Sequence, residues 1–418
     1  MIRAHRQERG QVIVIMAGVI VCSMAFMVLA VDGGMVFHHR RQAQNAADTA
    51  ALAAALAKTA GGNYVQAALN RATANDFDND DPEVTVEVFN PPVLEPYASD
   101  LNASQYVQVR ITGVVHTAFI HLVYQGVVAN TVEAIARARP PVNMADGYAL
   151  YSTSLTECDG LTFGGNGHIK LQGGDAFSNS DGSENVGSCS SCTRSGSNVV
   201  ILTNNYLYCA ADYQDNGSGG GVLNDEGGGS PKIQEYQDQQ QMPLMPEIPC
   251  PAGAKQGNLN INKSKTLDPG NYSNISLKAG AVVTLNPGTY CVDGDFTGMG
   301  GTITGNGVTI KMLSGQLDLG GNVTVNLQAP TTGDWKGLLV YAEPSVSLVK
   351  VTGGSGSFYM GTIYAPQAEC QIRGGSGTLA VNSQLICRTT DIAGDGQVDI
   401  VYNEDENYKL PTTIELAK

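Results

Sequence analysis

The chain has 418 residues, room for two or three domains, and its 50 glycines against nine phenylalanines and one tryptophan point to many turns and short strands. Its formal net charge is −15, yet five Arg against Glu8 and Asp32 put residues 1–41 at +3 and leave −18 for the rest. So acidic a body argues against nucleic acid and anionic lipid surfaces as partners.

The first element in chain order is the apolar run from Val12 to Val31, which carries no charge and, apart from Cys22, only Ser23 as a polar side chain. A helix of twenty residues rises about 30 Å, the thickness of a bilayer's hydrocarbon core. Arg3, Arg6 and Arg9 precede the run and Asp32 ends it, so the N-terminus is expected in the cytoplasm. Two other fates compete. A cleavable signal peptide could end at Val28-Leu-Ala30, but its apolar core usually spans only ~7–15 residues. Prepilin-type processing after Gly10 wants a Glu five residues on, where this chain has Ile15. The run is therefore expected to stay on the mature protein as a transmembrane helix.

From Gln42 to Ala60, ten of nineteen residues are alanine, and Gly61-Gly62 supplies a stop. Gly33-Gly34 is a candidate hinge between span and stalk. Ala43, Ala47, Ala50, Ala54 and Ala57 recur at three- and four-residue spacing, a seam that would let a second helix approach closely.

Arg9-Gly10, the apolar run, Ala30-Val31-Asp32-Gly33 and Arg41-Gln42-Ala43-Gln44-Asn45-Ala46-Ala47-Asp48-Thr49-Ala50-Ala51-Leu52-Ala53, in that order, resemble the N-terminal segment of TadE/TadG-like proteins. These belong to the tight-adherence (Flp) pilus-assembly system of bacteria. The resemblance covers roughly residues 9–60 and implies a pilus-associated, pseudopilin-like envelope component.

Residues 63–139 read as a small α+β unit of pilin-like character. Tyr64 to Phe77 is helical in pattern and Val115 to Tyr124 a short helix. Val84, Val86 and Val88, then Val107, Val109 and Ile111, then Val132, Ala134, Ala136 and Ala138 alternate as half-buried strands do. Pro140-Pro141 opens a linker over 140–147.

From about Tyr148 the pattern changes. Leu267-Asp-Pro-Gly-Asn-Tyr272 recurs eighteen residues later as Leu285-Asn-Pro-Gly-Thr-Tyr290, and short strand-like runs separated by glycine pairs continue to Val398-Asp-Ile-Val-Tyr402. This is the pattern of an all-β, right-handed parallel β-helix over 148–405; the alternative is a β-sandwich. Leu161 to Asn179 reads as its first coils. A long excursion, with glycine runs at 219–221 and 227–229, is expected at about 204–258, and residues 406–418 read as a tail.

Eight cysteines follow Cys22, an even number that suits disulfides in an oxidising compartment. Cys370 and Cys387, seventeen residues apart, are expected to join equivalent positions on adjacent coils, with Cys250–Cys291 as the next pair. Elimination then leaves Cys158 with Cys209 and Cys189 with Cys192.

Chemical motifs are sparse. The scattered histidines lack ligand spacing. Asp76, Asp78, Asp80 and Glu87 mimic a calcium loop, but Asp81 stands where that loop needs glycine, so an acidic surface loop is the simpler reading. Asp293 and Asp295, two apart and so expected to point the same way on a strand, joined by Asp318, are the carboxylates a β-helix acting on polysaccharide could use, and no Arg or Lys accompanies the pair. The expectation is a non-enzymatic, single-pass envelope protein with no cofactor. Its C-terminal body is extracytoplasmic, and its partners are the membrane and other pilus-assembly or envelope proteins. The alternative is a membrane-anchored enzyme or binding module for polysaccharide.

Overall fold

The structure, a computed structural model, describes residues 11–120, 124–185, 189–223, 232–320, 322–353, 356–375 and 377–418. The basic flank at Arg3, Arg6 and Arg9, the glycines at 227–229 and the middle of the expected 115–124 helix lie outside them. The chain divides into two units, residues 1–141 with 411–418, and residues 142–410.

The first unit is built on one helix, α1 (Gln11–Thr59). It runs unbroken through Gly33 and Gly34, so the expected hinge is absent. At both glycines an added Cβ would meet nothing within 4 Å. Forty-nine residues give a rod of about 74 Å. Residues 12–27 are exposed throughout, whereas Ala43, Ala46, Ala47, Ala50, Ala51, Ala54 and Ala55 are fully buried. The alanine seam does bring an element close, but chiefly a sheet. Val107, Val109 and Ile111 of β2 (Tyr106–Val114) and Val132, Ala134 and Ala136 of β3 (Ala129–Arg139) join the same core, with Ala68 and Ala72 of α2 (Tyr64–Thr73). Small residues on both sides set a short approach between helix and sheet.

The sheet is antiparallel, and β1 (Val84–Phe89) pairs with β2, which pairs with β3. Its fourth strand is Thr413–Leu416, paired to β3 with Ala138 opposite Ile414. The C-terminal residues read as a tail therefore close this sheet. The whole of 142–410 is an insertion between two neighbouring strands.

The inserted unit carries two parallel sheets among its described residues. In the ten-stranded one, Leu267 pairs with Leu285, eighteen residues on as the repeat suggests, and Leu285 with Gly305. Buried Val283, Ile303, Val325, Val381 and Ile400 lie along its inner side. The repeated Pro-Gly turn has a chemical reason: the Tyr272 hydroxyl donates to the Asp268 carbonyl (2.5 Å) and that of Tyr290 to Asn286 (2.7 Å), so each buried ring closes its own turn.

Strand order departs from chain order. Gln397–Val401 pairs with His168–Gln172, His168–Gln172 with Val200–Thr203, and the last with Gly221–Leu223. The chain thus starts mid-stack, adds strands outward to Leu223, crosses to the far end and returns strand by strand from Leu259. Strands continue past 204 to Leu223, so the excursion is shorter than expected. Ile233–Gln234 pairs with Leu207–Tyr208 as a further strand, and the described part after it, 235–258, runs across the second sheet.

Candidate functional site at the membrane-proximal helix

Leucine, valine, isoleucine and methionine without charge favour a helix that satisfies its own backbone, and the window starting at Val12 is long and apolar enough to cross a membrane. Val12 to Leu29 keeps large apolar side chains outward, among them Val14 (73% exposed) and Phe26 (73%). Asp32, which ends the run, is only 3% exposed. Its carboxylate does not face solvent. Oδ1 accepts the backbone N–H of Ala118 (2.8 Å), and Oδ2 those of Phe119 (3.0 Å) and Ile120 (2.5 Å). Three N–H groups at the start of a turn are an anion site, and charge-assisted bonds of this kind are roughly twice as strong as neutral ones. The Tyr124 N–H donates to the Ile120 carbonyl (2.8 Å).

Sequence reading gave Asp32 as the end of the apolar run and as part of the resemblance at Ala30-Val31-Asp32-Gly33, without a partner. Its partners lie 86 to 88 residues away, and no local pattern gives them. Beside the clamp is a largely apolar cleft of about 620 Å³ lined by Ala25, Val28, Leu29, Asp32, Gly33, Val36, Phe37, Phe119 and Ile120. Two turns above Asp32, His39 packs edge-on against Phe77 (ring centroids 5.5 Å). Burial, then the neighbouring His116 and His38, hold its imidazole below the ordinary value.

Residues 10–57 match the family model described as putative Flp pilus-assembly TadE/G-like. The matched segment is α1 almost entire, so the similarity to Flp pilus-assembly proteins is a property of this N-terminal part. Residues 253–407 match a domain of unknown function, DUF7305, which coincides with the returning half of the inserted unit. No curated protein and no solved structure matches the chain.

The remaining candidates fall elsewhere. Asp78 accepts the N–H of Asp80 within its own turn (3.1 Å), and Glu87 faces Arg110 across the sheet (3.4 Å), with Glu133 on the other side (2.7 Å). Among the described residues no group of three or more His, Cys, Asp or Glu is placed to hold a metal ion. Asp293 and Asp295 sit on a bend between strands rather than along one. Contrary to the sequence reading, lysines do accompany them: Asp293 is paired with Lys255, and Asp318 with Lys350 (3.3 Å). Asp295 accepts the N–H of Gln316 (3.1 Å).

All eight cysteines beyond Cys22 are paired. Cys370 bonds Cys387 and Cys250 bonds Cys291, while Cys158 bonds Cys189 and Cys192 bonds Cys209. The last two replace the pairs reached by elimination, because Cys189 and Cys192 diverge to different neighbours despite their short spacing. Cys370 and Cys387 are not register equivalents, since Cys370 lies opposite Thr390 and Cys387 opposite Ala365. The bond crosses a corner instead. Following the register, Cys387 aligns with Ser152, Ser178 and Cys209, and Cys370 with Thr390, Leu161 and Cys192. Both bonds therefore occupy the same corner of the stack, and the Ser152 hydroxyl donates to Thr390 at that corner between them (3.4 Å). The shared seventeen-residue separation was the signal for the second pair.

The 235–258 segment is strapped over an outward row in register: Tyr208, Phe177, Tyr151, Ile386, Tyr364, Tyr341, Lys311 and Cys291. Tyr151 donates to the Gln240 carbonyl (3.1 Å), Met245 N–H donates to Tyr364 (3.3 Å), and the Cys250–Cys291 bond fixes the far end. Lys311 is buried beneath it. Its ammonium donates to the Ile248 carbonyl (2.7 Å) and pairs with Glu343 (2.8 Å). Burial pushes the phenols of Tyr151 and Tyr341 up to about 12.

Proposed function

We propose that the protein is a structural component of Flp-type pilus assembly, held in the bacterial cytoplasmic membrane by α1 with its N-terminus in the cytoplasm. On this reading residues 142–410 form a right-handed parallel β-helix outside the membrane, and its acidic, polar surface serves adhesion or protein contact. The observation that carries it is the continuity of α1: one helix links the matched apolar run to the alanine seam on which the sheet of the first unit packs. The solenoid reading draws support from the parallel, in-register pairing of repeats eighteen residues apart.

The protein has no catalytic role in this proposal. Asp293, Asp295 and Asp318 are each engaged by a lysine or by backbone, whereas glycoside cleavage asks for a free pair of carboxylates flanking the bond. The test is co-purification of the full chain from intact envelopes. Pilus-assembly proteins should accompany it, and Asp293→Asn should leave that set unchanged. Release of sugar from envelope polysaccharide, lost in Asp293→Asn, would overturn the proposal.

A further inference from the structure

The outer side of the ten-stranded sheet breaks with the acidity of the chain. Val283, Ile303 and Val325 are buried, so their neighbours face outward in two adjacent rows. Thr304 and Asn326 are register partners, with Thr284 before them; Asn306 partners Gln328, with Asn286 one residue past the Leu285–Gly305 pair. None of the six is charged, in a chain whose formal net charge is −15. A cleft of about 450 Å³ runs along these rows to Phe358. It meets a second, of about 590 Å³, at Pro287 and Asn306. Thr289, Thr331, Thr332, Asp334 and Trp335 line the second cleft.

Trp335 is the only tryptophan in the chain. Its ring is stacked on Tyr408 (centroids 6.3 Å apart, 23° between planes), and its loop is closed by the Gly337 N–H on the Pro330 carbonyl (2.8 Å). Asn286 and Gln328 are fixed as well, each donating an amide N–H within the protein, to Asp268 (2.6 Å) and to Met360 Sδ (3.0 Å). Thr289, Asn306, Thr331 and Thr332, by contrast, make no side-chain hydrogen bond among the described residues. The groove therefore offers one fixed aromatic plane and, beside it, amides and hydroxyls with donors and acceptors to spare.

We infer that this groove binds a neutral polysaccharide, laid along the stack with one sugar ring against Trp335. The inference rests on the adhesion reading of the inserted unit and names its ligand class. A sugar ring has an apolar C–H face, which an aromatic plane covers, and an edge of hydroxyls, which amides meet as donor and acceptor together. The rungs recur about every 4.8 Å, so a polymer of small, similar units can repeat its contacts from strand to strand. The class is neutral because the two rows carry no charge, while Asp334 and the negative charge of the chain repel acidic polymers. A peptide strand finds no place here, because the backbone of this face is already paired within the sheet.

The sole tryptophan makes the test specific to this site. The full chain, in a zwitterionic detergent without a sugar headgroup, is titrated with soluble mannan, β-glucan and galactan, and with polygalacturonate as the acidic counterpart. At least one neutral polymer should shift the Trp335 emission saturably, and polygalacturonate should leave it unchanged. Asn306→Ala removes an exposed side chain with no partner in the fold, and should weaken that binding about fivefold. Trp335→Ala should abolish retention of the chain on the same polymer immobilised; Asn306→Ala keeps the test decisive should Trp335→Ala misfold. No emission shift with any neutral polymer would overturn the inference, and the pilus-assembly reading would still stand or fall on co-purification. Retention on a neutral polymer that both variants leave unchanged would put the sugar elsewhere and also overturn it. An equal shift with polygalacturonate would overturn the neutral class.

Discussion

The two units solve the same problem, burying a core, in opposite ways. The membrane-proximal unit brings residues far apart in sequence against one long helix, and small side chains set the distance: the alanines of α1 face Val107, Val109, Ala134 and Ala136. The inserted unit has no α-helix among its described residues and gains its core by repetition, each strand lying on one from another repeat. Two of its disulfides share one corner of the stack, and a third ties the strap to a strand of the face it covers. Small side chains packed on α1, with one buried carboxylate beside them, order the first unit; stacking and covalent staples order the second.

The largest effect should therefore come from one atom group in the first unit. Asp32→Ala leaves three N–H groups without their acceptor and should cost on the order of 4 kcal/mol. Faster amide exchange at Ala118, Phe119 and Ile120 would register it, with the inserted unit unaffected. Next, replacing Cys192 and Cys209 together by Ser should cost the inserted unit about 3 kcal/mol, as should Cys370 and Cys387, each closing a loop of separation 17. Denaturant titration without reductant should show equal losses, because the two bonds occupy the same corner. Ala50→Leu, overpacking the seam, should destabilise the first unit by about 2 kcal/mol in the same titration. The smallest change is Gly33→Ala. With space around it and helical backbone, alanine should stabilise α1 by up to about 1 kcal/mol, read as slower exchange along the helix. A hinge would instead lose function on that substitution.

How much of this was legible depended on whether the cause was local. The apolar run, the alanine seam and the alternations in β1 to β3 are local, and each appears where composition and period put it. So is the Leu-x-Pro-Gly-x-Tyr repeat, because the tyrosine that closes its turn lies within the repeat itself. Asp32 was visible as a boundary and as part of the resemblance, without its partners, since these are brought to it by the return of the chain after β2. The order of strands in the inserted unit was hidden for a related reason. Gln397–Val401 and His168–Gln172 are ordinary strands, and only the closure of the stack makes them neighbours. Likewise Cys189-Ser-Ser-Cys192 suggested a local pair, but the two residues lie on paths that turn toward different repeats. The DUF7305 match ends at 407, just after the strand that meets the earlier repeats, and marks the returning half as a recurring unit onto which 150–223 is stacked.

The central claim is that α1 spans the membrane and holds the inserted unit outside. Labelling with a membrane-impermeant maleimide in sealed cells tests it most directly, using Arg6→Cys, Leu101→Cys and Leu244→Cys one at a time in a Cys22→Ser background. Leu101 and Leu244 are both strongly exposed. The account predicts labelling at 101 and 244 in intact cells and at 6 only after lysis. Labelling at 6 in intact cells, with 101 and 244 protected until lysis, would contradict it.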